Sequence, residues 1–211
     1  MIKKLSILFF LIFFIGCAPR VNIDRFDLIP VQPSFQDNKE RKFKINLCKP
    51  DDSSLERFGD NDTLLRKLEI PDISPIINYF VTPTIVSDWC ADAFYKTFIN
   101  YGYEVCTVTN VQSKKVDEID INIKITGVRV GFTVSGFAGC QVVAGAKIDT
   151  KIWVVHMGQT LLDLEVNGVG DVEYSCMDDR EVQGLPSLSL AMMEAMKDVS
   201  DITVREIVNL P

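Results

Sequence analysis

The chain has 211 residues, with 22 Lys+Arg against 29 Asp+Glu and one His, for a formal net charge of −7. So acidic a balance supplies no electrostatic footprint for nucleic acid. One His and no C-x-x-C argue against a zinc site, and the length suits one domain with a sizeable core.

The chain opens on MIKKLSILFFLIFFIGC. Lys3 and Lys4 form a basic start, and Leu5 to Ile15 is an apolar run of 11 residues with Ser6 its only polar member. A spanning helix needs about 20 apolar residues, so this shorter run reads as an export signal. Its end, Phe14-Ile15-Gly16-Cys17, resembles a bacterial lipobox, with the small Gly16 before the cysteine and Phe14 where the motif has Leu. The resemblance implies cleavage after residue 16, a diacylglyceryl group on Cys17 and an amide-linked acyl chain such as palmitate. One chain anchors only marginally and several hold firmly. Ala18 after Cys17, where an inner-membrane lipoprotein has Asp, points to the outer membrane. Cleavage removes two lysines and no acid, so the mature chain is more acidic still.

Residues 17–40 read as a lipidated tether carrying Pro19, Pro30 and Pro33, although Phe26, Leu28 and Ile29 would let part of it pack on the domain. Residues 41–211 then form one α+β domain. In Arg41 to Cys48, Phe43, Ile45 and Leu47 alternate with Lys42, Lys44 and Asn46, as a half-buried strand requires. Residues 49–86 read as an irregular insertion. Within it Asp62 to Leu68 suggests a short capped helix, and Asp60-Asn61-Asp62 lacks the glycine and distal glutamate of a calcium loop. Ser87 or Asp88 caps a helix to about Tyr101 with Trp89, Cys90, Ala93, Phe94, Thr97 and Phe98 on its apolar face, and Gly102 stops it.

Tyr103 to Thr109 is a strand. Ile121, Ile123 and Ile125 then share one face, while Val128, Val130, Phe132 and Val134 continue one residue out of phase. That slip predicts a β-bulge at Gly127. Cys140 to His156 places Val142, Ala144, Ala146, Ile148, Ile152 and Val154 inward. After a tight turn at Met157-Gly158-Gln159, the next strand turns Leu162, Leu164, Val166, Val172 and Tyr174 inward and Asp163, Glu165, Asp171 and Glu173 outward. Gly168 and Gly170 suggest a bend. Three long strands thus form an antiparallel meander with one wet face. If the faces match across the turn, His156 pairs with Thr160. In that register Cys140 falls directly opposite Cys176, within disulfide reach. Export suits such a bond. Cys48, Cys90 and Cys106 remain, with no pair preferred. A charged loop with Asp178, Asp179, Arg180 and Glu181 precedes a last helix, capped by Ser187 and running to about Asn209. Its stripe is Leu188, Ala191, Met192, Ala195, Met196, Val199, Ile202 and Ile207.

The architecture expected is therefore an antiparallel sheet with a long meander, packed against two helices in the order β-α-β-β-β-β-α. No serine elbow, phosphate loop or catalytic His pairing occurs. The reading is non-enzymatic, with no cofactor.

Several residues carry a family resemblance: Val81-Thr82-Pro83 before the first helix, Gly102-Tyr103 after it, the Ile121-x-Ile123-x-Ile125 strand, and the Leu188–Ile207 helix with Asp198 and Asp201. Over roughly Val81 to Val208 the chain resembles the YajG-type family of small outer-membrane lipoproteins. It is more distantly similar to the auxiliary lipoproteins of ABC-type envelope transport systems. Lys49 to Ser74 and the extra cysteines are additions to that pattern. The resemblance implies an envelope role in transport or assembly and supplies no catalytic residues. Two functions follow as expectations: a lipoprotein docking an envelope protein partner, or a periplasmic carrier of a lipid or small apolar ligand. The carrier would need a cavity lined by Phe94, Phe98, Phe132 and Met192.

Overall fold

A computed structural model describes residues 21–33, 41, 43–59, 62–67, 77–109, 115–135, 141–175 and 184–210. In chain order its strands are β1 (Val21–Arg25), β2 (Lys44–Cys48), β3 (Arg57–Phe58), β4 (Asp62–Lys67), β5 (Ile77–Thr82), β6 (Glu104–Val108), β7 (Glu118–Ser135), β8 (Gln141–His156) and β9 (Gln159–Ser175). Helix α1 (Val86–Asn100) lies between β5 and β6, and α2 (Leu185–Val208) follows β9.

The expected meander is present. β7 pairs antiparallel with β8, and β8 with β9, along nearly their whole lengths. The β7–β8 register slips between Ile125 and Gly127, as the phase change in the sequence requires. Thr126 is the extra residue of that bulge, and its hydroxyl donates to the Asp149 carbonyl at 3.1 Å. Beyond it Val128 and Val130 return to the buried face, opposite Ile148 and Ala146.

Around this meander the sheet is mixed, where a purely antiparallel one was expected. The free edge of β7 is shared by two small groups of strands. Its first residues take β2 in parallel, with β6 parallel beyond it. Arg129 and Val130, further along, take β4 in parallel. β5 pairs antiparallel with β4, and β1 pairs parallel with β5. The reason is topological. β2 and β6 are parallel neighbours joined through β3, β4, β5 and α1, and so long a connection can bring a strand back alongside in the same direction, which a tight hairpin cannot.

Two segments read otherwise from sequence are strands. Asp62–Lys67 is β4 and not a helix, and residues 49–86 hold β3, β4 and β5. In place of a free tether over 17–40, Val21–Arg25 is β1, and Phe26, Leu28 and Val31 are buried behind it.

Helix α1 begins at Val86 without a side-chain cap, its cap position at Ile85 where Ser87 or Asp88 was expected. Its end is built as expected. Gly102 has φ 83°, its amide donates to the Ile99 carbonyl, and the Tyr103 amide donates to Phe98. This is a Schellman motif, and the accompanying apolar contact is the Phe98–Tyr103 edge-to-face pair at 5.9 Å. Helix α2 also starts earlier than expected, with Gly184 at its cap position and Ser187 inside it.

Gly168 and Gly170 mark close approach rather than a bend. A Cβ on Gly168 would lie 2.0 Å from the Ala195 carbonyl oxygen, and one on Gly170 2.1 Å from that of Ala191. Helix α2 therefore lies directly on β9. Thr97 on α1 donates to Ser200 on α2 at 3.1 Å, joining the helices inside the core.

Candidate functional site

The three residues to which the sequence assigns lipidation or disulfide roles, Cys17, Cys140 and Cys176, lie outside the described residues, as do Asp178 to Glu181. The strands leading to the cysteine pair are described, and their register corrects one step of the expectation. His156 faces Gln159 and not Thr160, because the turn has two residues, Met157 and Gly158. Both have positive φ, 50° and 79°, as in the primed turns that suit twisted hairpins. A one-residue irregularity at Leu161 then restores the anticipated register, from Val154↔Leu162 to Gln141↔Ser175.

The other cysteines form no second bond. Cys48, Cys90 and Cys106 are free thiols. Cys90 is fully buried on the inward side of α1, and that burial pushes its thiol far up from its ordinary value. Cys48 is pushed up to about 11, first by burial and then by the nearby Asp120 carboxylate. Asp120 is itself buried and accepts from Asn46 Nδ2 at 2.9 Å. Cys106 is exposed on β6.

The single histidine stands at the hairpin, where its Nε2 donates to the Val116 carbonyl at 3.0 Å and its ring meets Phe43 edge-on at 5.6 Å. Asp62 of the Asp60-Asn61-Asp62 run accepts from Arg25 at 3.0 Å across β1 and β4. Among the described residues no group of three His, Cys, Asp or Glu is placed to hold a metal ion, and no helix is long and apolar enough to cross a membrane.

The side chains named for a carrier cavity pack against their neighbours. Phe94, Phe98 and Met192 are fully buried in one core. Phe132 meets Phe80 and Tyr174 edge-to-face at 5.8 and 6.3 Å. The opposite face of the meander is charged, as expected. Arg129 pairs with Asp149, Lys147 reaches Asp149 at 3.6 Å, and Lys151 reaches Asp163 at 3.6 Å while lying over the Trp153 ring.

What the sequence reading missed is the apolar tip of the β8–β9 hairpin. Met157 is 52% exposed and Leu161 43%, and the exposed Val116 adjoins them through its contact with His156. Met157 is the one non-glycine residue among those described with positive φ. Left-handed backbone costs a side-chain-bearing residue about 1 kcal/mol, and hairpin turns normally place Asn, Asp or Gly there. The available signal was a Met-Gly pair between two alternating runs, where Asn-Gly is the usual chemistry.

Register fixes where this tip lies relative to the N-terminus. Val21 pairs with Ile77, β5 aligns on β4, and Lys67 of β4 sits beside Val130. Asp120, ten residues earlier on β7, pairs with Val155 just before the tip. At ~3.3 Å per residue, β1 begins roughly 30 Å or more from the hairpin tip along the strand direction.

No family model matches the chain, and no curated protein does. Solved structures resemble it at low identity. A Xanthomonas campestris protein of the family DUF330 is 11% identical with a TM-score of 0.48, covering 87% of this chain and 92% of its own. A neuraminyllactose-binding hemagglutinin homolog from Helicobacter pylori is 9% identical at 0.47, covering 85% and 92%. A minor lipoprotein from Acinetobacter baumannii is 8% identical at 0.37, covering 59% and 86%.

Proposed function

We propose that this chain is a non-enzymatic envelope lipoprotein of the YajG type, held by lipid on Cys17 in the outer membrane, that docks a protein partner of a transport or assembly system. The observation that carries the docking reading is Met157. A large apolar side chain is kept in left-handed backbone at an exposed tip, at a cost that Asn or Gly would avoid. Strain of this kind persists where a side chain is needed for contact. The tip stands at the far end of the meander from β1, so a chain anchored through Cys17 would hold Met157, Leu161 and Val116 well away from the anchor. The Gln141↔Ser175 register, adjacent in sequence to both cysteines, supports a Cys140–Cys176 disulfide.

The test is detergent extraction of the full chain from its native envelope, with the N-terminal peptide and co-purified proteins measured by mass spectrometry. A lipid mass on Cys17 and a stoichiometric partner that is lost in Met157→Asp are expected. A stoichiometric extra lipid and no partner would favour a carrier. A soluble chain with unmodified Cys17 would overturn the anchor.

A further inference from the structure

Strands β1 and β5 present an exposed apolar pair. Ile23 and Tyr79 are direct cross-strand partners, 49% and 39% exposed. They lie on the face opposite Phe80, which is buried in the core. Scattered exposed apolar residues are ordinary. What distinguishes this pair is its distance in chain from the lipid.

Only residues 18–20 separate Cys17 from the start of β1. A fully extended chain covers at most about 3.6 Å per residue, so Val21 stands no more than roughly 14 Å from Cys17 and Ile23 no more than roughly 22 Å. Acyl chains in the hydrocarbon fix Cys17 at headgroup depth. The domain then has no long tether on which to stand off, and β1 stays at the bilayer surface.

We infer that the outward face of β1 and β5, centred on Ile23 and Tyr79, rests on the same bilayer that holds the Cys17 lipid, with both side chains in the headgroup layer. The inference rests on the reading of Cys17 as the lipidated residue. Tyrosine suits this depth because its ring is apolar and its hydroxyl stays wet, and interfacial belts are rich in it for that reason. Ile23 supplies apolar area beside it. Arg25, next on the same face of β1, is paired with Asp62 at 3.0 Å and brings no unbalanced charge to the surface. The chain as a whole is acidic, so the contact is apolar and does not depend on anionic lipid. Its consequence is a fixed orientation: the sheet meets the membrane along the outward face of β1 and β5.

The test uses the full lipidated protein reconstituted into neutral phosphatidylcholine vesicles. The photo-crosslinker p-benzoylphenylalanine replaces Tyr79, Ile23 or Met157 in three separate proteins, and the mass of the N-terminal peptide reports the state of Cys17. Phospholipid adducts at positions 79 and 23, several-fold above those at 157, are expected. A lipidated Cys17 with no excess of adducts at 79 and 23 overturns this inference and leaves the anchor standing. An unmodified Cys17 overturns the anchor and this inference with it. If irradiation of the native envelope gives protein adducts at 79 in place of lipid, the face belongs to a protein partner and the inference is wrong.

Discussion

Replacing Gly168 with Ala should unseat the C-terminal helix. The added methyl would sit 2.0 Å from the Ala195 carbonyl oxygen and 2.6 Å from Val199 Cγ2. The nearer obstacle is helix backbone, which no rotamer change moves. Ordinary contact needs roughly another 1.4–2 Å, so α2 must lift off β9 by about that much. A gap of 0.5–1 Å already forfeits about a quarter to a half of each dispersion contact, and Leu188, Met192, Met196 and Val199 would all lose theirs together. Overpacking against a rigid neighbour therefore puts the cost at about 3–5 kcal/mol, a large part of the ~5–15 kcal/mol that domains have. Urea unfolding followed by far-UV circular dichroism reads this as a midpoint lower by roughly 2 M. Gly158→Ala is the control, since nothing lies within 4 Å of its Cβ and only its φ of 79° is strained. It should cost about 1 kcal/mol. Trimming Val199 to Ala in the Gly168→Ala background should restore little, because Ala195 remains in the way. If Gly168→Ala were no worse than Gly158→Ala, α2 would not be seated on β9 as described.

Met157→Asn should raise stability by up to about 1 kcal/mol in thermal or urea unfolding, by relieving the left-handed methionine, while weakening partner binding. A loss of stability would remove the strain argument. Cys48 should make stability fall at alkaline pH. Its folded value of about 11 lies above the ordinary thiol value of 9.0, so the protonated form favours the folded state. That contribution is full below pH 9 and is lost as pH rises toward 11. Cys48→Ala should flatten this decline when urea midpoints at pH 7 and pH 10 are compared, and an unchanged slope would refute it. At pH 8 in the native state, Cys106 should react with a thiol reagent while Cys90 stays protected until unfolding, because burial holds Cys90 protonated and inaccessible. Peptide mapping without reduction should join Cys140 to Cys176, and two free thiols in exported protein would exclude that bond.

Period and phase made the meander legible. The face shift around Gly127 located a bulge within one residue, and the stripes of α1 and α2 were readable from 3.6-residue spacing. What escaped depends on partners distant in sequence. Asp62 to Lys67 has the local look of a helix, yet it is a strand because β5 on one side and β7 on the other complete its hydrogen bonds. Val21 to Arg25 alternates too briefly to read by itself and becomes a strand through β5, which begins more than fifty residues later. Gly168 and Gly170 could be seen as special, but only the position of α2 shows why. The exposed tip was legible as a turn, while the φ of Met157 had to be seen.

The edge of β7 that receives two separate groups of strands sets an order of assembly. β2 and β6 have only each other until the first half of β7 exists, and β1, β4 and β5 join the main sheet only through its second half. Ser189, at the start of α2, donates to the Asp27 carbonyl across 162 residues of sequence. The N-terminal half therefore cannot complete its fold as it emerges, and must wait for strands made later. Long-range closure of this kind slows folding. It leaves the chain longest in the extended, unpaired form that a narrow passage admits.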